Sequence, residues 1–95
     1  MKLRYTLRGA AELDNILATI AEQSPQGVRR VQARIQTIIS LLLRHPHAGQ
    51  LTSKRRLRRV VVYPYPYLIF YSVSEEEIVI HGVRHGARRP SSMPE

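Results

Sequence analysis

The sequence predicts an α+β fold in the order β-α-α-β-β-β, with an N-terminal helical hairpin packed on one face of a small, mainly antiparallel four-stranded sheet. Three observations predict it. Apolar residues recur at three- and four-residue steps through most of the first half of the chain, after one short alternating segment. A serine–proline pair at positions 24 and 25 breaks that helical stretch in two. The second half holds three strand-like runs joined by connections too short for a crossover, which makes them an antiparallel meander.

Residues 2–6 set Leu3 and Tyr5 against Lys2, Arg4 and Thr6, the alternation of a short strand, and leave Thr6 placed to cap a helix. Ala10, Leu13, Ile16, Leu17, Ile20 and Ala21 then form one stripe over residues 7–23. Glu12 and Asp14 fall toward the start of this helix, the end its dipole makes favourable for acids. Ser24 can accept the orphan amides of the next helix, and Pro25 loses no hydrogen bond at a first helical position. That second helix is expected over residues 25–45, with Val28, Val31, Ile35, Ile38, Ile39 and Leu42 on one face. So short a link forces the helices into a hairpin with a shared core. Arg29 and Arg30 sit in the first turns, where the dipole disfavours cations, and this broken rule points to an outside partner.

His45-Pro46-His47-Ala48-Gly49 ends the helix, and a basic loop follows to about Arg56. Strands are expected over residues 57–63, 67–73 and 78–84. They are joined by the corner Pro64-Tyr65-Pro66 and the acidic turn Ser74-Glu75-Glu76-Glu77. Residues 1–90 read as one domain and residues 91–95 as a flexible tail.

Charge is the most informative part of the composition. The chain carries 15 Lys and Arg against 7 Asp and Glu, a formal +8. No acid lies between Glu22 and Glu75, a stretch that holds Arg29, Arg30, Arg34, Arg44, Lys54, Arg55, Arg56, Arg58 and Arg59. Concentrating one sign in this way attracts polyanions and acidic partners. The absence of cysteine excludes disulfides, thiol catalysis and thiolate metal sites. No apolar run approaches the ~20 residues that span a bilayer, and the basic start is not followed by an apolar stretch, so neither a membrane span nor a signal peptide is read and the expected location is the cytoplasm. His45 and His47 flank Pro46 without helical ligand spacing, and no glycine-rich phosphate loop is present, so neither a metal nor a cofactor is expected.

Two groups of residues could carry function. Lys54, Arg55, Arg56, Arg58 and Arg59 form a basic cluster able to meet phosphates or acidic side chains. Arg58 and Arg59 fall on opposite sides of a strand, so one of them is expected to be tethered by a partner or by a buried acid. Near the chain end, Arg84 and His85 place a cation beside a potential base, but metal-free RNA cleavage also needs an acid for the leaving oxygen, and no catalytic constellation is read. His81 is a second candidate base, and its alternation with Ile80 offers the simpler reading that it faces solvent. Tyr63, Tyr65, Tyr67 and Tyr71 crowd around two prolines and read as rings that cover the core rather than as a stacking platform for bases.

The element order, the proline-started second helix, the basic loop, the strand pair RRVVVYPYPYLIFYSV (58–73) and the ending IVIHGVRHGARRP (78–90) resemble the ParE/RelE superfamily of toxins from bacterial type II toxin–antitoxin pairs. The likeness runs from Leu3 to about Pro90. Its most specific piece, VRHGARR (83–89), looks more like the ParE, or plasmid-stabilisation, branch than the RelE branch. The resemblance implies a toxin held in check by a cognate antitoxin whose C-terminal segment wraps it, and for some ParE-like members DNA gyrase as the target. RelE-like members instead cut mRNA on the ribosome, usually with a tyrosine near the chain end, whereas the last tyrosine here is Tyr71.

The leading expectation is therefore a toxin that acts by binding, with Lys54, Arg55, Arg56, Arg58, Arg59, Arg84, Arg88 and Arg89 contacting target or antitoxin. A ribosome-dependent endoribonuclease with His85 as base and Arg84 on the phosphate is the first rival. A non-toxic nucleic-acid-binding module is the second. An open groove between hairpin and sheet would also let the chain self-associate until antitoxin covers it.

Overall fold

The computed structural model describes residues 1–86. Strand β1 (Lys2–Tyr5) leads into helices α1 (Leu7–Gln23) and α2 (Pro25–Arg44), followed by strands β2 (Gln50–Leu51), β3 (Arg58–Val61), β4 (Tyr67–Val73) and β5 (Glu77–His85). The two helices start where the capping chemistry says they should. Thr6 Oγ1 accepts the Gly9 amide at 2.9 Å, and Ser24 Oγ accepts the Gly27 amide at 2.9 Å with Pro25 in the first turn. Each such cap stabilises its helix by about 1 kcal/mol.

The strands form one mixed five-stranded sheet in the order β1-β5-β4-β3-β2. Two sequence expectations need correcting. The four-stranded count missed β2, because a two-residue strand carries no periodicity and its pairing of Gln50 with Arg59 and Leu51 with Arg58 is a tertiary event. The strand expected over 57–63 is shorter, since the chain turns at Val62 and Tyr65 donates its amide to the Val62 carbonyl at 2.8 Å. β1 is the parallel member and pairs with β5 over Lys2–Tyr5 against Glu77–Ile80. The other pairings are antiparallel. The Tyr63–Pro64 peptide bond in the β3–β4 corner is cis.

The core lies between the hairpin and one face of the sheet. Val31, Ile35, Ile38, Ile39 and Leu42 of α2 meet Val62, Ile69, Tyr71, Ile78, Ile80 and Val83, with Leu13, Ile16, Leu17 and Ile20 of α1 packed around them. Burial of this apolar area is the main force that holds the hairpin to the sheet. α1 comes unusually close to β5. A Cβ on Gly9 would stand 2.5 Å from the Ile80 carbonyl oxygen, so only glycine lets the helix backbone rest on the strand there. On the second face Phe70 and Val79 are also buried, at 2% and 6% exposure, so that face is not a continuous open apolar surface. The large apolar side chains that remain exposed, among them Leu7, Leu51, Val61 and Tyr63, sit at edges and corners.

Candidate functional site

Two regions gather the chemistry-bearing residues. The first is an open cleft of about 390 Å³ between α1 and the far ends of β4 and β5, lined by Glu12, Asn15, Ile16, Thr19, Tyr67, Val83, Arg84 and His85. It exists because β1 is short. β1 covers the β5 edge only as far as Ile80, after which the chain turns into α1. The exposed edge is then finished by the backbone at the α1 cap and by a side chain of α1. Thr6 donates its amide to the Ile80 carbonyl at 3.0 Å, and Glu12 Oε1 accepts the Val83 amide at 3.1 Å. A strand edge with free amides invites foreign pairing, and Glu12 blunts this one.

The same carboxylate holds the cations. Glu12 Oε2 stands 2.8 Å from Arg84 Nε, in a contact that is ionic rather than an aligned hydrogen bond, and 3.5 Å from Arg8 Nε one helical turn away. Arg84, with a side chain only 10% exposed, is thus engaged by an acid from α1 instead of standing free. Its neighbour His85 meets the Tyr67 ring edge-on, centroids 5.6 Å apart. Arg84 and His85 do line one cleft, as their adjacency suggests, but Glu12 was the residue the sequence reading missed. Its signal was faint: an acid in the second turn of a helix whose first turn holds none.

The second region is the hairpin loop between β2 and β3. Lys54, Arg55 and Arg56 are exposed on it, and Arg59 is exposed on β3. The loop is ordered by its own hydrogen bonds. Thr52 donates its amide to the Leu57 carbonyl at 2.9 Å, Leu57 donates to Lys54 at 3.2 Å, and the Thr52 hydroxyl oxygen accepts the Lys54 amide at 3.1 Å. Leu57, 7% exposed, anchors it to the protein. Arg56 takes a left-handed backbone, φ 62°, which a non-glycine side chain adopts at a cost and only where its surroundings impose it.

Arg58 behaves differently from its neighbours. The expected tether of a buried acid or a partner is replaced by backbone oxygen. Arg58 Nη1 donates to the Gly49 carbonyl at 2.8 Å and to the His47 carbonyl at 3.2 Å. Tyr71 fixes the same loop from beneath, donating to the Pro46 carbonyl and accepting the Gly49 amide, both at 2.8 Å. Burial raises the Tyr71 pKa above the ordinary 10.0, against the smaller opposing influences of the Gly49 bond and Arg58. Arg58 and Tyr71 therefore serve architecture.

His81 also departs from expectation. It is half-buried rather than turned to solvent, and its Nε2 lies 2.7 Å from Ser72 Oγ. The β4–β5 register slips between Phe70 and Tyr71, which leaves His81 directly opposite no β4 residue in the ladder. Burial, with the Arg4 charge adding to it, lowers its pKa from 6.5. Tyr5 is raised by burial alone. Arg88 and Arg89 lie outside the described residues. Among the described residues no group of histidines and acids could hold a metal ion, and no helix is long and apolar enough to cross a membrane.

Residues 3–90 match the model of the ParE toxin of type II toxin–antitoxin systems, parDE. The chain belongs to the ParE toxin family. It is 36% identical over 84 residues to Toxin RelE2 of Caulobacter vibrioides, covering 88% of this chain and 93% of that one. It is 35% identical over 75 residues to Y4kP of Sinorhizobium fredii, a protein whose name proposes a toxin, covering 79% and 78% of the two chains. Among solved structures, the chromosomal ParDE toxin–antitoxin system from P. aeruginosa superposes with a TM-score of 0.75 at 22% identity, over 90% of this chain and 95% of that one, a likeness of fold. The ParE-like assignment drawn from the chain ending and the element order is thus shown, and in this family member the shared fold carries both the Glu12 cleft and the basic hairpin.

Proposed function

We propose that this ParE family member is the toxin of a type II toxin–antitoxin pair, that it acts in the cytoplasm by binding a macromolecular target, DNA gyrase, and that a cognate antitoxin neutralises it. The family match over residues 3–90 supports the toxin role. The observation that favours binding over cleavage is the state of the last tyrosine: Tyr71 is fully buried and its hydroxyl is committed to two backbone groups. Its proton is engaged by the Pro46 carbonyl and out of a substrate's reach.

The α1–β5 cleft suits the antitoxin. Its Ile16, Val83 and Tyr67 offer apolar contact, and Arg84 offers charge to an acidic residue that can displace Glu12. The target-facing surface in this reading is the basic hairpin, Lys54, Arg55, Arg56 and Arg59, with Arg58 holding it in place and Arg88 and Arg89 adding charge from the chain end. Without antitoxin, the apolar Ile16, Val83 and Tyr67 of the uncovered cleft favour self-association.

A second reading has one observation in its favour: Arg84 and His85 line a single cleft in a chain 36% identical to a protein named RelE2. In it the chain is a ribosome-dependent mRNA endoribonuclease with His85 as base.

Induced expression, with and without the antitoxin gene, separates the two. Growth arrest with altered DNA supercoiling and intact mRNA supports the binding toxin. Arrest with shortened mRNA that a His85→Ala change abolishes supports the nuclease, and the absence of any arrest contradicts both.

A further inference from the structure

The basic hairpin has a composition that selects among possible ligands. Lys54, Arg55, Arg56 and Arg59 are all exposed, while the apolar residue nearest the centre of their loop, Leu57, is buried beneath them. None of the four makes an ion pair among the described residues, where Glu77 pairs with Arg4 and Glu12 with Arg8 and Arg84. A protein interface of useful strength needs an apolar, desolvated centre with charges at its rim. Here the arrangement is inverted, with cations outward at the centre and the exposed apolar side chains nearby, Leu51 on β2 and Val61 on β3, outside the loop that carries them. A phosphodiester backbone asks for no apolar centre. It binds through several cations at once, each contact releasing counterions.

The loop is also built ahead of any ligand. Its four-way hydrogen bonding through Thr52, Lys54 and Leu57, and the left-handed Arg56, hold three consecutive cations at a tight turn instead of on a flexible arm. Behind it, Arg58 and Tyr71 brace the 46–49 segment against β3 and β4.

We infer that this hairpin is a sequence-independent grip for the phosphodiester backbone of a nucleic acid. The inference rests on the reading of the hairpin as the target-facing surface and refines it: on a DNA gyrase target the hairpin meets the bound DNA and not the protein. The register sets one constraint on it. Arg58 pairs with Tyr71, so the hairpin emerges at the same end of the sheet as the acidic β4–β5 turn with Glu75 and Glu76, from which β4 separates it. Those two acids oppose a phosphate and should weaken its binding.

The test is fluorescence anisotropy of the purified chain with a labelled 20-base-pair DNA duplex of arbitrary sequence and, separately, with single-stranded RNA of the same length, across a salt series. Binding whose logarithm falls steeply with log salt is expected. The triple change Lys54→Gln, Arg55→Gln, Arg56→Gln should weaken it and flatten the slope for duplex DNA by about 3, near 0.9 for each lost phosphate contact. The pair Glu75→Gln, Glu76→Gln should tighten binding, which a misfolded variant would not do. The two probes distinguish a DNA from an RNA source of the same phosphate chemistry. No binding at low salt, or a salt slope that the triple change leaves intact, overturns the inference, as does an acidic peptide that binds at the hairpin when neither nucleic acid does. Scoring the triple variant for growth arrest keeps the two readings apart: arrest retained after loss of nucleic-acid binding removes the target-facing role and leaves the grip standing.

Discussion

The α1–β5 cleft and the β2–β3 hairpin handle charge in opposite ways. In the cleft one carboxylate, Glu12, serves two arginines and a strand amide, so that its charge is spent inside the fold. On the hairpin four cations stand exposed with no acid in ion-pair distance among the described residues, and hydrogen bonds of the loop backbone and the Thr52 hydroxyl, with one buried leucine, hold them in order. Both regions contain arginines that look alike in the sequence. What differs is whether the tertiary neighbours are carboxylates or water. A cation neutralised by its own protein stabilises a structure, and one left to solvent contributes almost nothing to stability and remains available to a partner. Stability should therefore be sensitive in the cleft and indifferent at the hairpin, while binding should show the reverse.

The largest expected break is at the foot of the cleft. Gly9→Ala puts a methyl group 2.5 Å from the Ile80 carbonyl oxygen, a backbone atom that cannot yield without parting α1 from β5. A loss of about 3 kcal/mol is expected in denaturant unfolding, the upper range for overpacking. Retention of wild-type stability would mean that α1 does not rest on β5. Tyr71→Phe comes next. It leaves the Gly49 amide and Pro46 carbonyl without their partner and should cost about 1–3 kcal/mol, with increased amide exchange in residues 45–50 as the local signature.

Glu12→Gln sharpens the comparison directly. The amide can still accept from the Val83 N–H but cannot neutralise Arg84, so a loss of about 1–2 kcal/mol is expected. The pair is partly screened, and raised salt should narrow the difference between wild type and variant.

His81 supplies a pH dependence. Its folded pKa lies below the 6.5 of the unfolded chain, so on acidification the unfolded state takes up the proton first. Stability from this group is complete above pH ~6.5 and is lost as pH falls from there through the lower folded value. His81→Gln should flatten that part of a thermal-melt series, and an unchanged curve would count against the half-buried Ser72–His81 pair. The smallest stability effect belongs to the hairpin: the triple glutamine variant of Lys54, Arg55 and Arg56 should unfold within about 0.5 kcal/mol of wild type. A larger loss would make the loop structural and close the contrast.

Much of this molecule was legible in order. The caps at Thr6 and Ser24, the core stripe of α2 from Val31 to Leu42, and the strands near 67–73 and 78–84 follow from local rules that act over three or four residues. The family could be read from the same stretch, since the ending 83–89 and the strand pair 58–73 lie close together in the chain. The candidate site was legible only in its membership. Lys54 to Arg59, Arg84 and His85 could be nominated by type, yet not sorted into free and engaged.

The sequence by itself determined where helices begin and end, which residues are apolar enough to make a core, and that the chain is a strongly basic ParE family member. Tertiary structure alone decided that Glu12 reaches Val83 and Arg84 some 70 residues away, that Arg58 is held by the Gly49 carbonyl, that β2 exists, and that His81 is shielded. The physical reason is range. Caps and periodicity are settled by neighbours along the chain, whereas the partner of a charge is fixed by which elements the packed sheet and hairpin bring within about 3 Å of it.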